Sequence, residues 1–360
     1  MRVMLITGSF PPMHCGVGDY TYKLAAALAE SAALCVAVLT SRGAETPEGG
    51  SFDVLPVMQS WTMKDAPSAI RTIKRWAPDI VHMQYPTQGY GDRSLPSLLP
   101  LIAFFMGGRI VQTWHETYLR REAPGLLLRA IVPSRLVVVR PRYEELLHPM
   151  LRWALWRKHA KFIPNASLIG VASLHADGRE RVRARYLDGQ QRLIVFFGFL
   201  YPVKGVEQLF EISNPATDRI VIAGEMNVVP DYRAEIMKRI ASPPWKGKVT
   251  VAGFLPPGDI AELLASADAV VFPYRNGGGE WNTSLHGAVL NRAFVLHTSL
   301  HPSGYDPKRN TYSARIDDIE EMRAALQRYA GSRRGDDPAL DCADWQSIAE
   351  AHQTVYKTLV

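Results

Sequence analysis

Short apolar runs alternate with longer amphipathic stretches along most of the chain, and the two periods predict alternating strands and helices. In the first half the strands are Val3–Thr7, Leu34–Thr40, Ile80–Gln84, Arg109–Thr113 and Leu136–Arg140. Helices are predicted over Tyr20–Glu30, Ala66–Trp76, Ser94–Phe105, Gly125–Ile131 and Pro141–His148. A second series begins after Pro164. Its strands are Leu193–Gly198, Arg219–Gly224, Val249–Gly253, Ala269–Pro273 and Phe294–Thr298. Its helices are Val206–Ile212, Tyr232–Ile240, Pro257–Ala265, Leu285–Leu290, Ile319–Tyr329 and Asp344–Leu359. Strands without polar alternation, separated by helices, imply βαβ units and parallel sheets covered on both faces. The fold class is therefore α/β, with two tandem Rossmann-like doubly wound domains. Ligands of such sheets bind beyond the C-terminal ends of the strands.

Length supports the division, since 360 residues exceed what one ordinary core holds. The expected boundaries are 1–165, 166–340 and a C-terminal helix over 341–360 that packs back towards the first domain. Hydrophobic residues at 47% and charged residues at 21% exclude general disorder. A formal net charge of +6 suits anionic substrates or an anionic membrane face better than nucleic acid. Cys15, Cys35 and Cys342 show no CxxC spacing, so neither a zinc site nor a disulfide framework is expected, and a reducing compartment fits. No apolar run is long enough for a transmembrane helix. The best, Leu95 to Met106, is short and carries two prolines.

Several segments hold candidate chemistry. Phe272–Gly287 leaves a strand at Pro273, passes through Gly277-Gly278-Gly279 and ends at Thr283-Ser284 before a helix. Backbone N–H groups there can face a phosphate. Phe10–Tyr20 follows the first strand, and Gly16 and Gly18 let backbone approach a phosphate or a hydroxyl-rich sugar; a tight turn without a ligand is the alternative. It is no dinucleotide fingerprint, because Thr21 stands where GxGxxG needs its third glycine. His115 ends a strand and is either a donor to a sugar hydroxyl or a satisfied structural histidine. Lys204, before Gly205 and after the strand-end Gly198, is placed as a point-charge phosphate binder. Gly224-Glu225 and Gly253-Phe254-Leu255 end neighbouring strands and line the same rim. A further run contains Arg152, Lys158 and Lys161 interleaved with Trp153 and Trp156. It reads as a face for an anionic membrane or as a solvated helical face over a core.

In this order, these runs resemble the glycosyltransferases of the GT-B fold, retaining family 4. The resemblance rests on the glycine loop after strand one, His115, Ile163-Pro164-Asn165, Phe197-Gly198-Phe199 with Lys204-Gly205, Ala223-Gly224-Glu225, Ala267 to Arg275, and the Trp345 to Tyr356 helix. It covers almost the whole chain and implies two domains facing across a cleft. It further implies a nucleotide-diphosphate sugar on the C-terminal domain, an acceptor on the N-terminal domain, and no metal or other cofactor. By this resemblance His115, Lys204 and Glu280 are the catalytic candidates. Gly16, Gly198, Phe199, Lys204, Gly224, Glu225, Phe254, Leu255, Asn282, Thr283, Ser284 and Leu285 would bind the donor, and Cys15, Val17, Gly18, Asp19 and Tyr20 the acceptor.

Three departures stand out. The arginine usual after the strand glycine is Phe199, the second acid of an E-x7-E pair falls near His286-Gly287 where there is none, and Arg292 replaces a common glycine. The expected function is a retaining transferase of bacterial-type surface polysaccharide or glycoconjugate synthesis, in the cytoplasm or at the inner face of the membrane. The alternatives are a catalytically silent GT-B partner protein and a nucleotide-sugar epimerase.

Overall fold

The computed structural model describes residues 1–46, 50–116, 123–147, 149–156, 158, 160–279, 281–335 and 343–360. It divides into two compact units, Met1–Ala166 with Ala343–Val360, and Ser167–Cys342.

Unit 1 is built on seven parallel strands: β1 (Arg2–Ile6), β2 (Cys35–Ser41), β3 (Asp53–Met58), β4 (Ile80–Tyr85), β5 (Arg109–Trp114), β6 (Arg135–Val138) and β7 (Lys161–Phe162). Their order is β3-β2-β1-β4-β5-β6-β7, so the winding direction reverses between β1 and β4. There Val3 pairs with Ile80 and Ile6 with Met83. Val3, Met4, Leu5 and Ile6 are all fully buried, as an unbroken apolar strand covered on both faces must be. Helices α1 (Gly16–Ala29), α2 (Ala66–Trp76), α3 (Leu95–Phe105), α4 (Ala123–Ile131) and α5 (Pro149–Trp156) connect them.

Unit 2 repeats the plan with β8 (Arg192–Phe197), β9 (Asp218–Ala223), β10 (Val249–Gly253), β11 (Ala269–Phe272), β12 (Phe294–Ser299), β13 (Gly304–Asp306) and β14 (Thr311–Arg315). The order is β10-β9-β8-β11-β12-β14-β13, and only β13 runs antiparallel, to β14. The reversal lies between β8 and β11, where Val195 pairs with Val270. The helices are α6 (Ala176–Tyr186), α7 (Leu209–Ile212), α8 (Pro230–Ala241), α9 (Pro257–Ser266), α10 (Thr283–Leu290) and α11 (Ile319–Tyr329). The chain then returns to unit 1 as α12 (Trp345–Lys357). Asp344 starts this helix by accepting the Ser347 N–H at 2.7 Å. Its Ile348, Ala349, Val355 and Tyr356 join the core formed by Tyr20, Leu24 and Leu28 of α1.

Several elements differ from the hydrophobic pattern. Helix α1 begins at Gly16 rather than Tyr20, so the glycines lie inside its first turn. Pro141–His148 holds only a 3-10 turn at Tyr143–Leu146, entered through Arg142 with φ 52°; His148 lies outside the described residues. Val206–Ile212 splits into a 3-10 turn and the single turn α7, because Gly205 enters it with φ 63°. Helix α6 was not expected, since its sequence ADGRERVRARY has no apolar stripe. It is tethered through Arg183, which donates to Asp268 at 2.8 Å and to Ser266 O at 3.1 Å. The short strands β3, β7, β13 and β14 were likewise not expected.

Candidate active site

The sheet order of unit 2 lines up the C-terminal strand ends β10, β9, β8 and β11. Phe254 and Leu255, then Gly224 and Glu225, then Gly198 and Phe199, then the loop from Pro273 therefore follow one another along one rim. Phe254 is 56% exposed. Glu225 turns its carboxylate back to its own loop, accepting the Asn227 N–H at 2.8 Å. Gly224 has φ 127°, and a Cβ there would lie 2.1 Å from Gly198 O. Glycine is thus required where the two strand ends meet.

At the reversal point the loops after β8 and β11 are laced together. Arg275 N donates to Val203 O at 2.9 Å, and a Cβ on Gly205 would lie 2.1 Å from Pro273 O. A 3-10 turn at Pro202–Lys204 closes on Gly205 and presents Lys204. The Lys204 Nζ rests 4.3 Å from the centroid of Tyr274. That ring is buried, and burial pushes its phenol up, so it stays neutral and offers its π face to the ammonium. Tyr274 is held by its own backbone, since Thr298 Oγ1 donates to Tyr274 O at 2.6 Å.

Gly278, in the middle of the glycine run, packs against the same ring. A Cβ on Gly278 would meet the Tyr274 ring at 2.8 Å, and Gly278 N donates to Thr298 O at 2.6 Å. Asn282 precedes α10 but does not cap it; its Oδ1 accepts the Gly279 N–H at 2.9 Å instead. The first turn of α10, at Thr283, Ser284 and Leu285, thus starts without a side-chain cap, and its N–H groups and dipole favour an anion. Lys204 and Gly278 thus share the Tyr274 ring as a support, and the glycine loop leads on from there to the start of α10. Arg275 is no free cation. It pairs with the buried Glu207, donating from Nε at 2.9 Å, and with Asp317 at 3.1 Å. Glu280 lies outside the described residues.

In unit 1, Cys15 is the residue before α1, with φ −155°, and no side chain caps the turn that follows it. A Cβ on Gly16 would meet open space, so the backbone is approachable there; one on Gly18 would lie 3.0 Å from Ser9 O, so Gly18 serves helix-to-loop packing. Asp19 is partly buried in this first turn, and burial raises its carboxyl to about 6, against the opposing pull of His14 and Lys23. Tyr20 is buried inside the core, edge-on to His115 with centroids 4.6 Å apart, and to Trp345 at 5.2 Å. Among the expected acceptor residues it is therefore a wall rather than a surface group.

His115 follows β5 and is 7% exposed. Its N–H is fixed to Tyr85 O at 2.9 Å, and its Nε2 lies 2.8 Å from Gln84 Oε1. Burial, with His352 adding to it, pulls the imidazole down to about 3, so it is neutral at physiological pH. It acts there as a hydrogen-bonding group and not as a cation.

Sequence reasoning passed over Tyr274, Thr298 and Gln84. Tyr274 carries a usable signal, an aromatic directly after a strand-end proline and before a glycine run. Gln84 carries one too, a polar side chain inside a strand otherwise buried on both faces.

Comparison with known proteins bears on the fold. Residues 191–331 match the family model Glycosyl transferases group 1. No curated protein sequence matches the chain. Among solved structures, sucrose-phosphate synthase (tll1590) from Thermosynechococcus elongatus is similar at 15% identity and a TM-score of 0.78, covering 99% of this chain and 98% of that one. Anabaena Alr3699/HepE in complex with UDP and glucose is similar at 13% identity and a TM-score of 0.69, covering 100% and 98%. UDP-GlcNAc 2-epimerase from Methanocaldococcus jannaschii is similar at 11% identity and a TM-score of 0.59, covering 99% and 100%. At these identities the likeness shows the fold, which is that of the GT-B glycosyltransferases.

Proposed function

We propose that the chain is a retaining glycosyltransferase that moves a sugar from a nucleoside-diphosphate sugar to a glycan, lipid-linked or small-molecule acceptor, in bacterial-type surface polysaccharide or glycoconjugate synthesis. The observation that carries this reading is Lys204 seated on Tyr274, the ring against which Gly278 of the glycine loop packs, with that loop running into the uncapped start of α10. As the bond from sugar to phosphate breaks, negative charge grows on the leaving diphosphate. A fixed ammonium and preoriented N–H donors stabilise that charge more than the ground state, which lowers the barrier. The departing phosphate oxygen then takes the acceptor proton on the same face. No metal is needed in this scheme, and no carboxylate pair of the glycosidase kind. Phe254 and Leu255 would seat the base, and neutral His115 would contact the transferred sugar.

A thermal-shift screen with UDP-, GDP- and ADP-sugars identifies the donor, because a ligand of the native state raises its apparent stability. With that donor, Lys204→Ala should lower kcat/KM by roughly a hundredfold or more, corresponding to about 2.7 kcal/mol, with an unchanged melting curve. Full turnover by the variant would remove Lys204 from the mechanism.

The epimerase reading draws support from the epimerase of like fold, and the silent-partner reading from the absence of an acid near His286-Gly287. NMR of the donor incubated without acceptor separates epimerisation from transfer: inversion of a sugar carbon supports epimerisation. The silent-partner reading is supported if calorimetry finds no nucleotide binding at all.

The protein's place in this scheme is the cytoplasmic face of an anionic membrane. Phe105, Ile131, Trp153 and Trp156 are 78%, 64%, 68% and 75% exposed, on the consecutive helices α3, α4 and α5, with Arg152 and Lys161 exposed nearby. Apolar and indole side chains beside cations suit an interfacial layer. Among the described residues no helix is long and apolar enough to cross a membrane.

A further inference from the structure

The C-terminal helix reaches His115 through a buried chain of hydrogen bonds. Nε2 of His115 meets Gln84 Oε1 at 2.8 Å, and Gln84 Nε2 meets His82 Nε2 at 3.2 Å. His82 Nε2 also meets Thr113 Oγ1 at 2.7 Å, and His82 Nδ1 meets the Tyr356 hydroxyl of α12 at 2.7 Å. His82 and Gln84 lie two residues apart on β4, and Thr113 is on β5, so the pleat turns these groups to one face. His82, Gln84, Thr113 and Tyr356 are fully buried. His352 lies beside His82, tilted at 34° with centroids 5.5 Å apart, and is anchored to Ile348 O at 2.8 Å.

In such a place every bond has a direction. A neutral imidazole has one N–H and one bare nitrogen, and an amide donates from one end and accepts at the other. His115 Nε2 faces an amide oxygen, so it carries the proton, and its Nδ1 is left as an acceptor. The Gln84 amide then donates to His82 Nε2, which leaves the His82 proton on Nδ1, donated to Tyr356. The state of each ring is thereby tied to the next, as when the partner of one imidazole nitrogen decides which is protonated.

We propose that Gln84, His82 and Tyr356 are positioning residues that hold His115 as its Nε2–H tautomer, so that the residue offers a lone pair at Nδ1 to a ligand hydroxyl. The assignment rests on the transferase reading only for what Nδ1 meets; the relay itself is a property of the free protein. It also gives α12 a role in the site beyond packing, because Tyr356 terminates the chain of bonds.

The full-length protein labelled with 15N-histidine tests this by long-range 1H–15N correlation at pH 7.5, with His115 and His82 assigned through His115→Gln and His82→Gln. The expected wild-type pattern is Nε2–H for His115 and Nδ1–H for His82. Gln84→Leu should leave His115 as a mixture of tautomers. Gln84→Glu accepts from both rings, so His115 should stay Nε2–H while His82 inverts to Nε2–H. Tyr356→Phe should disturb the His82 pattern and, through it, that of His115. If Tyr356→Phe does not fold, the two Gln84 variants still decide. An Nδ1–H pattern for His115 in the wild type, or an unchanged pattern in Gln84→Leu, overturns the relay. Turnover separates this from the activity. The expected patterns without transfer by the wild type leave the relay standing and sink the transferase reading. With an active wild type, Gln84→Leu should lower kcat by roughly tenfold or more, with KM little changed. An unchanged kcat would overturn the functional part of the assignment.

Discussion

Arg292 occupies left-handed backbone with φ 65°, in the turn between α10 and β12. A side chain there strains against its own carbonyl. The same position is the one at which a glycine is common in the proteins the sequence resembles, and the backbone gives the reason. Arg292→Gly should raise stability by up to about 1 kcal/mol, read from urea denaturation; a loss would mean that the arginine's contacts outweigh the strain. Gly224→Ala should act in the opposite sense. It meets both a positive φ and the Gly198 carbonyl, so a loss of about 2 kcal/mol or more is expected in the same experiment. Wild-type stability would show that the two strand ends separate at no cost. At this scale Lys204 and the glycines were legible because charge and backbone freedom coincide in sequence. Tyr274 and Gln84 were not, because their roles depend on which strand lies beside them, and one sequence does not state a strand order.

Among the elements, those with a strong period were read well, and the rest were carried by contacts far along the chain. Helices α2 and α11 and strand β10 have the bounds the pattern predicts. Helix α6 does not announce itself, since a polar helix tethered by Arg183 has no hydrophobic signature. Helices α4 and α5 lie in or next to the basic run for which the pattern alone left two readings open, and with α3 they carry large exposed apolar side chains. Vesicles with anionic headgroups should sediment with the protein, and neutral ones should not. Trp153→Ser with Trp156→Ser should weaken that binding by roughly tenfold. Equal binding to both kinds of vesicle, or none, would leave these helices as ordinary surface.

On the scale of the whole molecule, the buried histidines make the fold sensitive to acid. His115 is held at about 3, and His352 and His297 at about 4, all chiefly by burial, and His82 well below its ordinary value. An unfolded histidine titrates near pH 6.5. Above that pH neither state binds the proton, and these groups do not affect stability. Below it the unfolded chain takes up protons that the native state refuses, so stability falls until the native pKa values are reached. For His115, His352 and His297 the loss at pH 5 is about 2 kcal/mol each. Asp19 opposes this: with its carboxyl raised to about 6, the native state gains a proton before the unfolded one, and stability rises as pH falls through that window. One group against four leaves the balance with the histidines. Thermal melts should shift downward between pH 7 and pH 5, and a flat profile would contradict the buried neutral state of these rings. Both doubly wound sheets were visible in the sequence, because uninterrupted apolar strands between amphipathic helices admit few other packings. That α12 belongs to unit 1 becomes physical only with the contacts of Ile348, Val355 and Tyr356.

That return of the chain governs how the protein is made. Unit 2 is one continuous stretch, whereas unit 1 lacks a part of its core until residues beyond unit 2 have left the ribosome. The α1 face that Ile348, Val355 and Tyr356 cover therefore lacks these partners until the residues after unit 2 have been made. Over that interval the uncovered apolar surface is open to association with other chains.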